Sequence, residues 1–271
     1  MTRAEFYQLF GGGRAVIGVV HLLPLPGSPR YTGEFSSIVD RALRDARAYV
    51  EAGFNGLIVE NFGDAPFYPD QVGPETVAAM AVVTSAVRAA VEVPVGVNVL
   101  RNDARAALAV ATAAGGRFIR VNVHTGAMLT DQGILQGKAA ETLRLRKMLS
   151  ADVRIFADVL VKHGAPLVEI PLERAVLDTV ERGLADAVIL TGEATGKETD
   201  PAAVLSVKEA ISDVPVLVGS GVTLTNARFF AHADGFIIGS WAKVGGKATE
   251  PVDPERARAV VKAIEKTTEQ V

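Results

Sequence analysis

The stretch "SSIVDRALRDARAYVEAGFNGLIVEN", Ser36–Asn61, carries a helix, its stop signal and a strand in unbroken succession. Ile38, Val39, Ala42, Leu43, Ala46 and Val50 recur at helical spacing and form one apolar stripe. Gly53 follows as a C-cap, a position that calls for left-handed backbone. "NGLIVEN", Asn55–Asn61, is then a short β-rich run. The same alternation fills the chain. The other runs are "RAVIGVVH" (Arg14–His21), "VPVGVNVL" (Val93–Leu100), "GRFIRVNVH" (Gly116–His124) and "DVRIFADV" (Asp152–Val159). They continue with "ADAVILTG" (Ala185–Gly192), "VPVLVGSG" (Val214–Gly221) and "ADGFIIGS" (Ala233–Ser240), which makes eight strands in all.

Helix starts are marked by Asp200-Pro201 and Asp253-Pro254, each an N-cap before a first-turn proline, and by Gly73-Pro74-Glu75. Gly115 and Gly183 close helices as Gly53 does. Strand–helix repetition with short connections predicts an α/β fold with a parallel sheet, and eight units predict a closed (β/α)8 barrel. A doubly wound open sheet is the alternative. No linker, low-complexity tract or composition break divides the chain, so residues 1–271 are expected to form a single domain.

Composition narrows the function classes. Hydrophobic residues at 49% and charged residues at 22% suit an ordinary globular core. A net charge of −3 gives no electrostatic reason to expect nucleic acid or an anionic membrane surface as partner. No apolar run is long enough for a transmembrane segment; the longest patch, Val77 to Val91, is broken by Thr84, Ser85 and Arg88 and reads as a core helix. The N-terminus lacks a signal-peptide apolar block. The absence of cysteine excludes disulfides, thiolate ligands and cysteine nucleophiles, and fits a cytoplasmic protein.

One stretch imitates a nucleotide-binding loop. In "AVILTGEATGKETD", Ala187–Asp200, glycines, a lysine and hydroxyls follow an apolar run. A P-loop needs four residues between its first glycine and the Gly-Lys pair, then Ser or Thr for magnesium. Three residues separate Gly192 from Gly196, and Glu198 stands where the hydroxyl belongs. The stretch is instead the sixth barrel strand and its loop, with Glu193, Lys197 and Glu198 expected above the mouth.

In such a barrel the chemistry gathers at the C-terminal strand ends. His21, His124 and His163 fall there, whereas His232 belongs to the opposite end. Glu60 and Asn61 end the second strand, Asn98, Arg101 and Asn102 the third, and Asp158 and Lys162 the fifth. Along the fourth strand, Ile119, Val121 and Val123 share one face, and Arg120, Asn122 and His124 the other. The polar set is expected inside the barrel, with Asn98, Glu60 and Asp158. A buried guanidinium needs a carboxylate, for which Glu60 and Asp158 are the candidates. A plain internal salt bridge is the bland alternative to a catalytic cluster.

"VGSGVT" (Val218–Thr223) and "IGSWAK" (Ile238–Lys243) place Gly-Ser pairs at the ends of the seventh and eighth strands, where barrels of this type commonly hold phosphate. Gly219, Gly221 and Gly239 allow close backbone approach; Ser220, Ser240 and Lys243 can donate to an oxyanion. The histidines and carboxylates of the rim leave room for a divalent metal, although no HExxH-type spacing specifies one. "HTGAMLTDQGILQGKA", His124–Ala139, reads as a long glycine-rich loop, surface decoration or a lid.

Together, "VVHLLPLPGSPRY", "ENFGDAPFY", "VNVHTGAMLTDQG", "DVLVKHGAPL", "TGEATGKETD", "VLVGSGVT" and "GFIIGSWAKVGG" resemble the BtpA family, from about Ala15 to Ala259. The resemblance implies a TIM barrel. The family is named for a cyanobacterial factor that helps photosystem I proteins accumulate at the thylakoid surface, and it includes SgcQ-like relatives in non-photosynthetic organisms. It therefore also implies peripheral membrane association as an option, and it supplies no catalytic residues to carry over.

Two functions are thus expected to compete. One is a small-molecule enzyme, with a homo-oligomer as an option, acting on a phosphorylated sugar- or nucleoside-like anion by isomerase, lyase or hydrolase chemistry. There Glu60, Asp158 and the histidines would serve as acid–base groups, Arg120 and Lys162 would stabilise negative charge, and Asn98 and Asn122 would complete the cluster. The other is a biogenesis factor working through its exterior, which has no need of a polar interior.

Overall fold

The computed structural model describes residues 1–192 and 199–268. Eight parallel strands close into a barrel: β1 (Ala15–His21), β2 (Gly56–Glu60), β3 (Val95–Asn98), β4 (Phe118–Val121), β7 (Arg154–Val159), β9 (Ala187–Leu190), β10 (Val216–Val218) and β11 (Gly235–Ile238), with β11 pairing back onto β1. Each strand lies within its expected run. A second sheet of three antiparallel strands, β5 (Ala127–Thr130), β6 (Gly133–Gln136) and β8 (Gly164–Pro166), stands beside it. The segment expected as the loop His124–Ala139 is therefore mostly a hairpin, turning at Asp131-Gln132 and held by β8.

The barrel is wrapped by α2 (Phe35–Glu51), α3 (Pro74–Ala90), α4 (Ala104–Ala114), α5 (Ala139–Met148), α6 (Leu172–Leu177), α7 (Pro201–Ala210) and α8 (Pro254–Thr268). Between β10 and β11 the connection is a 3-10 turn, Ala227–Phe230. Caps fall where the sequence places them: the side chain of Asp200 accepts from Ala202 N–H, and Gly115 adopts φ +75° after α4. Gly183 differs, closing a π-helical turn at φ −82°. Among the described residues, no helix is long and apolar enough to cross a membrane.

The interior has two halves. Below, Ile17, Ile58, Phe118, Phe156, Ile189, Leu217 and Ile237 form an apolar plug. A helix the sequence reading did not anticipate, α1 (Arg3–Leu9), seals its base with Phe6 and with Phe10 just beyond its end. Thr2 and Glu5 start α1 as a reciprocal capping box, and Tyr7 Oη donates to Asp234 at 2.6 Å to anchor it. Above, register sets His21 beside Glu60 and Glu60 beside Asn98, so the inward positions turn polar at one level.

Gly96 shows how tightly the plug is packed. A Cβ there would sit 2.3 Å from the Phe118 ring, which stacks on Phe156 at a centroid distance of 4.6 Å. Replacing Gly96 with alanine should lower stability by about 1–3 kcal/mol through overpacking, seen as a drop of roughly 2–4 °C in Tm per kcal/mol. Gly13→Ala, whose Cβ would meet nothing within 4 Å, is the control. Equal melting curves for the two variants would contradict this account of the plug.

Candidate functional site at the barrel mouth

The strands open at their C-terminal ends into a cavity of about 930 Å³, a volume suited to a small metabolite. Its wall includes His21, Glu60, Arg120, Asn122, Lys162, His163, Gly219, Ser220, Gly221, Gly239 and Ser240, all expected at this face. Alternation along the short strands brings the first four inward; loops supply the rest.

Arg120 and Asp158 form the centre of the floor. Both are buried, and the guanidinium grips the carboxylate with two bonds, Nε–Oδ2 at 3.1 Å and Nη2–Oδ1 at 3.0 Å. Asn122 Nδ2 donates to the same carboxylate at 2.7 Å. Burial opposes the charge on Arg120, but Asp158 and then Glu60 more than restore it, raising its pKa above the ordinary range. Of the two candidate partners, Asp158 is thus the one that pairs. Asn98 Nδ2 donates to Glu60 Oε2 at 2.7 Å. Asn98 and Asp158 brace the wall from behind, and Glu60 and Arg120 face the cavity.

His21 has a defined tautomer. Its Nδ1 lies 3.1 Å from Ala248 O, and a carbonyl can only accept, so Nδ1 carries the proton. Burial, reinforced by Lys243 and Lys162, depresses its pKa well below the usual histidine value. The neutral ring therefore offers a bare Nε2, 3.5 Å from Glu60 Oε1. A neutral ring makes no ion pair, so that approach is a gap in which the two groups can share an incoming proton.

Among the described residues, Arg101, Arg120, Lys162 and Arg256 line the cavity with Glu60 and Asp131, and Asp158 stands behind Arg120. Burial lowers the pKa of Arg101, and burial together with Arg120 lowers that of Lys162. Ser220 Oγ accepts from Gly192 N–H at 3.1 Å and keeps its own proton for another partner. Gly221, at φ +74°, has its carbonyl held by Asn226 Nδ2 at 2.7 Å.

Two expected residues lie elsewhere. His124 is buried away from the mouth, its Nε2 2.8 Å from Gly183 O at the end of a helical turn. Strict alternation fails there because β4 ends at Val121, and Asn102 seizes both backbone groups of Val123 at 2.8 and 2.9 Å. Lys243 is fully buried against α2, 3.2 Å from Asp45, whose other oxygen takes Val252 N–H. The buried carboxylate claims the ammonium, which is thereby withdrawn from the Gly-Ser loops. Glu193, Lys197 and Glu198 lie outside the described residues. Among the described residues, no group of three or more His, Asp or Glu side chains is placed to hold a metal ion.

The sequence reading missed the rim: Phe62, Phe67, Asp131, Gln132, Trp241 and Arg256. Phe62 packs on His21 at 4.6 Å between ring centroids, and Arg256 stacks on Trp241 at 4.3 Å. Asp131 and Gln132 reach the cavity because they are the hairpin's turn. Only the aromatic at Trp241, directly after Gly239-Ser240, gave a usable signal.

The BtpA family's sequence model matches residues 13–266. A protein of Pyrococcus furiosus is 49% identical over 92% of this chain and 94% of its own. The photosystem I biogenesis protein BtpA of Synechocystis is 46% identical over 96% of this chain and 91% of its own. Among solved structures, N-(5'-phosphoribosyl)anthranilate isomerase from Pyrococcus furiosus superposes with a TM-score of 0.58 over 93% of this chain and 99% of that one, at 12% identity. That likeness concerns the fold.

Two outcomes are expected from these contacts. Asp158→Asn leaves Arg120 buried without its paired carboxylate and should cost about 3–5 kcal/mol. Glu60→Gln keeps an oxygen for Asn98 and should cost only about 1 kcal/mol; comparable losses in both variants, by denaturant unfolding, would refute the pairing. The second concerns pH. The folded pKa of His21 lies below its unfolded value of about 6.5, so between the two the unfolded chain binds the extra proton. Stability from the neutral ring is complete above that unfolded value and is lost as pH falls below it. His21→Gln should therefore lose less stability than the parent between about pH 7 and pH 5, and parallel curves would contradict a buried neutral ring.

Proposed function

The chain belongs to the BtpA family, and from that premise we propose that it is an enzyme acting on a small phosphorylated, sugar- or nucleoside-like metabolite. The observation that carries the reading is a metabolite-sized cavity whose wall joins the close approach of His21 and Glu60 to two Gly-Ser loops. The phosphate would lie against Gly219–Gly221 and Gly239–Ser240, where glycine lets the backbone approach closely and the serines donate. Lys243, paired with Asp45, has no part in it. His21 and Glu60 would move the proton, and Arg120 and Arg101 would stabilise developing negative charge. Isomerase, lyase and hydrolase chemistry all use such a set. The superposed isomerase is named for a phosphoribosyl substrate, which agrees with this substrate class.

A second reading rests on the name of the Synechocystis relative, photosystem I biogenesis. It requires an outward contact surface, and the exposed Leu129, Ile134, Leu167 and Val168 beside the mouth supply apolar area.

Inorganic phosphate and phosphorylated sugars should raise the melting temperature, by the equivalent of about 2.7 kcal/mol at a hundred times Kd. Ser240→Glu, which puts a carboxylate in the cradle, should abolish the shift while the free protein melts normally. Phosphate bound only elsewhere in a crystal, or affinity unchanged by Ser240→Glu, would refute the anion site.

A further inference from the structure

The segment after β7 is held in an unusual way. Leu160 and His163, neither of them glycine, adopt φ +49° and +62°. Left-handed backbone at such residues is strained and persists only where the surroundings impose it, most often at functional sites. Between them, Lys162 is fixed on both sides: its N–H donates to Thr191 Oγ1 at 3.1 Å, and its carbonyl accepts from Arg101 Nη2 at 2.8 Å. Lys162 lines the cavity.

The charges around Lys162 are otherwise engaged. Asp158 is held by Arg120 and Asn122, and Glu60 by Asn98 with His21 nearby. Other lysines that approach a carboxylate form ion pairs: Lys138 with Asp70, Lys208 with Asp234 and Lys243 with Asp45. Among the ion pairs of the described residues, Lys162 has no share. Burial and the neighbouring Arg120 also favour its neutral amine. An unpaired, desolvated amine beside a fixed cation is the arrangement that turns lysine from a charge into a nucleophile.

We propose that Lys162 Nζ is the nucleophile of this site and forms an imine with the carbonyl carbon of a phosphorylated aldehyde or ketone. This rests on the anion-binding reading of the mouth and narrows it to carbonyl substrates. The amine lone pair forms the C–N bond as the carbonyl π electrons move to oxygen, which takes up a proton. Nitrogen loses a proton, the carbinolamine oxygen is protonated again and departs as water, and a protonated imine remains. The His21–Glu60 pair, in the same wall, is placed to relay those protons. The positive imine then draws electrons from the adjacent bond, so that a proton or a carbon fragment leaves the neighbouring carbon. The enamine carbon then takes up a proton, which restores the positive imine, and water adds to its carbon to release product and the free amine. Arg101 and Arg120, which remain protonated, cannot take this role.

Borohydride reduction tests it directly. The protein is incubated with dihydroxyacetone phosphate, glyceraldehyde 3-phosphate or the neutral dicarbonyl 2,4-pentanedione. The two phosphates are reduced with sodium borohydride, and adducts are located by intact mass and peptide mapping. Expected is one adduct on Lys162, suppressed by inorganic phosphate for the two phosphorylated probes and lost in Lys162→Met and Lys162→Arg. Exposed Lys147 serves as the internal measure of non-specific labelling. Lys162→Arg removes the nucleophilic amine without placing an anion in the cavity, so it should still bind inorganic phosphate in the thermal-shift assay. A parent protein that binds phosphate yet labels Lys162 no more than Lys147 with every probe overturns the imine and leaves the anion site standing. If phosphate does not bind, the anion reading fails, and 2,4-pentanedione alone decides: labelling of Lys162 above Lys147 supports the nucleophile, and its absence overturns it.

Discussion

A guanidinium inside a barrel constrains everything around it. Arg120 is buried, remains charged at any physiological pH, and is stable there only because Asp158 meets it with two bonds. The two residues come from adjacent strands, β4 and β7, so the pair also ties the barrel together at its polar level. Asn122 saturates the carboxylate further, and Asn98 does the same for Glu60. These amides leave little freedom in the floor of the cavity. Below it, the Phe118–Phe156 stack and the α1 seal separate the charges from solvent at the other end. A polar layer of this kind costs stability compared with an apolar one, which is why its presence weighs toward a ligand.

The barrel was legible because its signal repeats. Most units restate the same stripe, cap and β-run, and an exception in one is outvoted by the others. The parts that escaped occur once. In the N-terminal segment, Thr2 and Glu5 carry the spacing of a capping box that opens α1, a single short signal beside the repeated ones. The seventh connection, where only a 3-10 turn Ala227–Phe230 joins β10 to β11, lacks the apolar stripe of its neighbours. On α2 the buried face includes Asp45 and Tyr49 beside Ile38, Ala42 and Ala46, a rotation away from the stripe that hydrophobicity alone suggests.

Within the site, alternation succeeded as far as the strands run. It placed Glu60, Asn98, Arg120, Asn122 and Asp158 inside, and failed one step beyond Asn122, where Asn102 turns the chain and sends His124 to Gly183. Lys243 failed for another reason: its destination was set by Asp45, distant in sequence, and a counter-charge of that kind has no local signature. The rim residues arrive on loops and on a hairpin turn, where side-chain direction follows no period. Function in these barrels concentrates in such loops, so the part of the site that decides specificity is the part hardest to read.

The hairpin joins the two functional readings physically. Its turn, Asp131 and Gln132, forms cavity wall, while Leu129 and Ile134, directly paired across β5 and β6, are exposed. Its inner contacts run through Leu135 and Met128 to Val123 and Val161, the residues flanking Asn122 and Lys162. A partner resting on the apolar outer side would therefore press on an element that also borders the ligand. By linkage, a ligand that fixed Asp131 or Gln132 would change the affinity of such a partner by the same factor as the partner changed the ligand's. An outward docking role and an inward chemical one are then not exclusive in this fold, because the same two strands carry both faces.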